Sequence, residues 1–205
     1  MGAPARDQDS YRGRDDDVAL NSATFNGGGG LNTGWTQDVN TNFRIRYLVQ
    51  ETSGGMAENT VLELWFTHTQ GAGVPEVMTA TSALRPALTA QYTDGDTTTQ
   101  VLGAGTYTSG ESIGGVTDAV VTGNLDLSAN TEAECEFCLT INSTQVADGD
   151  TFTNVEVRLS TDARLDTYTN SLTITVNEVG GGIVVPALDE GMLLGGLQGL
   201  SGGLE

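Results

Sequence analysis

The sequence predicts an all-β protein. It reads as one antiparallel two-sheet β-sandwich, immunoglobulin-like or jelly-roll-like, over residues 11–178. Three observations carry this. Short runs alternate apolar and polar residues with period two, Gly- and Asp-rich turn signals separate them, and no convincing helical stripe occurs before residue 180. Short strands with Gly-rich turns and no helices bury their apolar faces in a sandwich or a barrel.

Residues 1–10 are polar and irregular and read as an N-terminal arm. In Asn42–Gln50, Phe43, Ile45 and Tyr47 alternate with Arg44 and Arg46, the pattern of a half-buried strand. Val61–Thr67 follows after a Ser53–Gly55 break. Glu132–Asn142 alternates over a long span, Thr151–Ser160 places Phe152, Val155, Val157 and Leu159 among polar residues, and Ser171–Val176 closes the series. Gln70–Pro75 reads as a hairpin tip. Asp94–Thr97 and Asp148–Thr151 are two copies of one Asp-Gly-Asp-Thr turn, in which glycine supplies a positive φ.

The end of the chain differs. Residues 179–205 form a Gly/Leu-rich arm that opens on a Gly hinge. Leu193, Leu197, Leu200 and Leu204 fall near helical spacing, but each interspersed glycine costs a helix about 1 kcal/mol relative to alanine. Apolar side chains on such an arm need a surface to bury against. Ile183, Val184, Val185, Leu188, Met192, Leu193, Leu194, Leu197 and Leu200 are therefore the candidate partner-binding residues, with folding back onto the sandwich as the alternative.

The 205 residues carry 27 carboxylates against eight cations, a formal net charge of -19, and all eight cations are arginine. Two explanations of the missing lysine stand side by side: a codon bias toward arginine, or a salty medium in which excess carboxylates keep a protein hydrated. The charge argues against nucleic-acid partners and against anionic membranes, both of which need clustered cations. No secretory leader pattern and no apolar run of membrane-spanning length is visible.

Motifs that suggest chemistry read better as structure. Gly110–Gly114 matches the serine-hydrolase pattern G-x-S-x-G, but the only histidine, His68, precedes it and no helix is expected after it, so it reads as a Gly-Ser loop. Cys135 and Cys138 have C-x-x-C spacing. On a strand, side chains three apart face opposite ways, so two buried or half-buried free thiols are expected. His68 has no partner nearby in sequence for a metal or general-base role. Asp15–Asp17 reads as a solvated turn rather than a calcium site. Trp35, Trp65 and Phe66 read as core rather than as a sugar platform, and Asn142–Thr144 is a formal glycosylation sequon. Neither an enzymatic activity nor a cofactor is expected. Several of Arg44, Arg46, Arg158 and Arg164 are expected to pair with carboxylates across strands rather than face solvent alone.

Several segments then line up with a known pattern. DSYRGRDDD at Asp9–Asp17, Trp35 followed by VNTNFRIRYLVQET at Val39–Thr52, and TDGDTTTQVLG at Thr93–Gly103 resemble, in order, a β-rich module of tailed-phage structural proteins. ECEFCLTI at Glu134–Ile141, ADGDTF at Ala147–Phe152 and LDTYT at Leu165–Thr169 continue it, so most of residues 9–177 is covered. The hairpin at Thr69–Pro75 departs from the module, whose members tend to carry an Asn-Gly-Gly turn and a Trp there. The resemblance implies a sandwich without catalytic residues that serves in a virion. The expectation is a capsid decoration or cement protein on the exterior of the head. Its partners would be the major capsid protein and further copies of itself, with a trimer at three-fold positions as one arrangement. A tail, collar or head-fibre protein, or a surface module that binds carbohydrate or calcium, are the alternatives.

Overall fold

The structure is a computed structural model and describes residues 2–115 and 122–178. Among these residues there are thirteen strands and no helix. They are β1 (Arg6–Asp15), β2 (Trp35–Asp38), β3 (Phe43–Glu51), β4 (Ala57–Thr60), β5 (Leu62–His68), β6 (Pro75–Val77) and β7 (Leu84–Pro86), then β8 (Thr106–Ile113), β9 (Leu125–Leu127), β10 (Thr131–Ile141), β11 (Thr151–Leu159), β12 (Thr167–Tyr168) and β13 (Leu172–Asn177). The five strands expected from alternation correspond to β3, β5, β10, β11 and β13, each within one residue at both ends.

Two sheets face each other. One runs β12-β1-β3-β10-β7, with β8 also on β10, and the other runs β2-β13-β11-β5-β6. β4 and β9 form a small separate ribbon. The all-β, sandwich-like fold class is as expected. The sheets are mixed rather than antiparallel, because β12 on β1, β8 on β10 and β2 on β13 pair in parallel. β2 and β12 are short strands at the ends of their sheets, and β8 reaches the flank of β10 that β7 leaves open.

The core lies between the sheets. Phe43, Ile45, Tyr47 and Val49 of β3 and Phe137, Leu139 and Ile141 of β10 supply one wall. Leu62, Leu64 and Phe66 of β5, Phe152, Val155 and Val157 of β11 and Ile174 of β13 supply the other. All are essentially inaccessible to water. Burial of a large apolar side chain contributes roughly 1.5–3 kcal/mol relative to exposure. The one polar tip in this wall is satisfied: Tyr47 donates its hydroxyl to the Val155 carbonyl at 2.9 Å. Both pairings of β11 shift register around Asn154, which has φ of 48°, so a β-bulge stands next to that carbonyl.

Three expectations need correction. Residues 6–10 are not an irregular arm: β1 starts at Arg6, opposite Glu51 of β3, and the Ala5 amide bonds to the Glu51 carboxylate. Gly110–Gly114 is not a loop, because Gly110–Ile113 lie in β8 and pair with Glu134–Phe137. β3 is not half-buried. Arg44 and Arg46 are as buried as Phe43 and Ile45, because the chain covers the outer face of this sheet as well.

Candidate functional site

The outer face of the first sheet carries a buried ion network. Arg14 of β1, Arg44 and Arg46 of β3, and Glu134 and Glu136 of β10 point away from the apolar core and are fully buried. Their strands lie side by side, so one carboxylate reaches several guanidinium groups. Glu136 accepts from Arg14 Nη2 at 2.5 and 2.7 Å, from Arg44 Nη1 at 2.7 Å and from Arg46 Nε at 2.6 Å. Arg46 Nη1 also lies 3.3 Å from Glu134, and Arg44 Nε lies 3.1 Å from Asp16, so three cations face three carboxylates. Burial lowers the pKa of Arg14, while the charge of Glu136 and its hydrogen bond oppose that shift.

Backbone groups close the network from outside. Arg14 donates to the carbonyls of Ser22 and Leu20, Arg44 to Val18, and Arg46 to Leu20 and Thr99. Glu134 Oε1 accepts three successive amides, from Val101 at 2.8 Å, Leu102 at 2.7 Å and Gly103 at 3.1 Å. Charged hydrogen bonds thus fasten the segments around residues 18–24 and 99–103 over the sheet. Such bonds are about twice as strong as neutral ones.

Another buried carboxylate, Glu51, does similar work at the chain start. Glu51 accepts from Ser53 Oγ at 2.5 Å and from the amides of Ala5, Ser53, Gly54, Gly55 and Asn130. The Ser53 hydroxyl and these amides hold its pKa well below the usual glutamate range.

Glu156 of β11 joins two arginine–aromatic stacks, one on the second sheet and one that reaches Tyr168 of β12 in the first. The Arg158 guanidinium lies 4.3 Å from the Trp65 ring centre, and that of Arg164 lies 4.5 Å from Tyr168. Glu156 pairs with Arg158 at 2.9 Å and with Arg164 at 3.0 Å. The expected ion pairs are present, with a difference in geometry. Arg44 and Arg46 pair across strands, whereas Arg158 pairs along its own strand and Arg164 reaches in from the following loop.

The two Asp-Gly-Asp turns are the same object in three dimensions. Gly95 and Gly149 have φ of 85° and 81°. Each glycine amide donates to a strand carbonyl, Ser112 or Val176, and the amide of that same residue donates back to Asp96 or Asp150. The first aspartate of each turn, Asp94 or Asp148, accepts the amide two residues farther along, from Gly114 or Glu178. The third turn residue closes the loop, as Asp96 and Asp150 accept from the amides of Thr93 and Ala147.

In the second turn Asp150 has a further partner: His68 Nε2 lies 3.0 Å from its Oδ2. His68 lines an open cleft of about 410 Å³ beside the β5–β6 hairpin. Its other polar lining comes from Glu76, Thr79, Thr81, Ser82 and Gln145. Ala72, Val77 and Ala83 complete the wall.

The remaining candidate residues fall in several places. Ser112 is buried and donates its hydroxyl to the carbonyls of Thr93 and Asp96, so it is a strap for the first turn. Cys135 and Cys138 are free and buried, Cys135 in the apolar core. Burial pushes the Cys135 thiol up to about 12 and the Cys138 thiol up as well. The acidic triplet is only partly a solvated turn, because Asp16 joins the network while Asp15 and Asp17 are exposed. Phe66 is core, whereas Trp35 and Trp65 are partly exposed. Asn142 Oδ1 accepts from Thr144 within its own turn. Among the described residues, no group of three or more His, Cys, Asp or Glu side chains is placed to hold a metal ion. All nine partner-binding candidates, Ile183 to Leu200, lie outside the described residues.

The network was not foreseen as a buried unit. Its signal was present as alternation of opposite sign, Arg44 and Arg46 on one strand against Glu134 and Glu136 on another. Which strands would be neighbours was not written there. Compared with known proteins, the chain matches no family model, no curated protein and no solved structure.

Proposed function

We propose that this chain is a structural protein of a tailed-phage virion, a decoration protein on the outer surface of the head shell. The observation that carries the reading is where the resembling segments go. Asp9–Asp17 supplies Arg14 and Asp16, Val39–Thr52 supplies Arg44 and Arg46, Thr93–Gly103 supplies the capping amides, and Glu134–Ile141 supplies Glu134 and Glu136. Four separated stretches that resemble the phage module therefore meet in one buried network. That is the pattern of residues that specify a fold, not of residues that turn over a substrate.

Surface charge supports the exterior position. A chain of net charge -19 is repelled by packaged DNA and tolerated on the outside of the shell. Residues 179–205 are the proposed docking element toward the major capsid protein and neighbouring copies. Their leucines would contribute about 25 cal/mol for each Å² of apolar area buried.

The test is a cryo-EM reconstruction of the native particle, with mass spectrometry of purified virions. Density for the sandwich repeated over the outer head surface is the expected result. Density confined to the tail or a single vertex would move the protein to the tail or collar. Virions that lack the chain would overturn the reading.

A further inference from the structure

We propose that the cleft beside the β5–β6 hairpin binds a neutral polyhydroxylated ligand of mono- or disaccharide size. The inference rests on the cleft alone and does not depend on where the protein is assembled.

The imidazole is already oriented. A carboxylate can only accept, so the nitrogen facing Asp150, Nε2, carries the hydrogen, and in the neutral ring Nδ1 is left as an acceptor. Among the described residues Nδ1 has no hydrogen-bond partner, although His68 is only 8% exposed. The Phe152 ring, 5.0 Å away between centres and tilted by 38°, packs against the imidazole and helps to hold it. A Cβ built on Gly71 would stand 2.6 Å from Nδ1 and 3.0 Å from Cγ, so a larger residue at this position would displace the ring.

The rest of the lining selects the ligand class. About 410 Å³ lies within the usual range for small-molecule sites. Thr79, Thr81 and Ser82 bring hydroxyls, Gln145 an amide and Glu76 a carboxylate, so the cleft offers both donors and acceptors. A sugar hydroxyl does both at once. Ala72, Val77 and Ala83 offer small apolar surface to the C–H face of a sugar ring. No cation lines the cleft and the chain is strongly negative, which disfavours phosphates and carboxylates. His68 and Glu76 are the only strong metal donors in the lining, fewer than the three or four protein ligands that zinc takes.

The chain contains a single histidine, so its ring resonances are unambiguous by NMR. The experiment titrates the full-length, ¹⁵N-labelled chain with glucose, galactose and N-acetylglucosamine and follows the His68 ring nitrogens. A saturable shift of Nδ1 with at least one sugar is expected. Gly71→Ala, which displaces the ring, should bind about tenfold more weakly, as for loss of one hydrogen bond, with the backbone spectrum otherwise retained. Glu76→Gln, which leaves the imidazole untouched, provides a second variant and should also weaken binding. The proposal fails if no sugar moves the ring, or if Gly71→Ala and Glu76→Gln both bind as the parent does. It also fails if methylammonium produces a saturable shift and the sugars do not, because the cleft would then be a cation site.

Discussion

Glu136 touches three guanidinium groups at 2.5–2.7 Å with no access to water. Removing one partner of a buried ion network leaves charge uncompensated at low dielectric, which costs roughly 3–5 kcal/mol. Glu136→Gln should therefore lower the unfolding free energy in urea by that amount. Arg164→Ala should cost less than about 1 kcal/mol, because Arg164 is 57% exposed and water screens its pair with Glu156. Equal losses in the two variants would show that burial does not set the strength of these pairs. The sequence did show that these arginines would find carboxylates. It did not show that Arg44 and Arg46 would be dry, because alternation along a strand says nothing about what later covers its polar face.

Elements were readable to the extent that their own residues specify them. β3, β5, β10, β11 and β13 alternate strongly and were placed within a residue. Gly110–Gly114 reads in sequence as a Gly-Ser loop, because glycine and serine disfavour a strand; the extension of Gly110–Ile113 as part of β8 is imposed by parallel pairing with β10. β6, β7, β9 and β12 span only two or three residues, too few to show a period. Turn chemistry was more legible, and the repeated Asp-Gly-Asp motif makes the same contacts twice. This allows a paired test. Gly149 has nothing within 4 Å of a built Cβ, and Gly95 has only ordinary contact with Glu111. Alanine at either position therefore acts through positive φ alone and should cost about 1–2 kcal/mol. Thermal unfolding of Gly95→Ala and Gly149→Ala should give matching losses. A large disparity would mean that the two turns are not energetically equivalent.

At the scale of the whole molecule, four of the eight arginines (Arg14, Arg44, Arg46 and Arg158) are buried. The fold therefore removes cations from a surface that already had few, and leaves Asp94, Asp96, Asp126, Asp148, Asp162 and Asp166 exposed. Repulsion among such groups opposes the compact state and is screened by salt, with a Debye length of about 3 Å at 1 M. The thermal midpoint should rise steadily as NaCl is increased from low ionic strength to about 1 M. An unchanged or falling midpoint would show that surface repulsion does not limit stability, and would favour codon bias as the reason lysine is missing.

Local grammar was settled by the sequence itself: the all-β class, the five alternating strands, the two glycine turns and the free thiols on opposite faces of β10. Each depends on residues close together in the chain, where period and turn chemistry act directly. Strand order, the parallel edges, the depth of Arg44 and Arg46, and the cleft at His68 were decided only by tertiary structure. Arg44 and Glu136 are 92 residues apart, and His68 and Asp150 are 82 apart. Contacts of that span are selected by how two sheets and their covering segments pack together, and no window of sequence contains both partners.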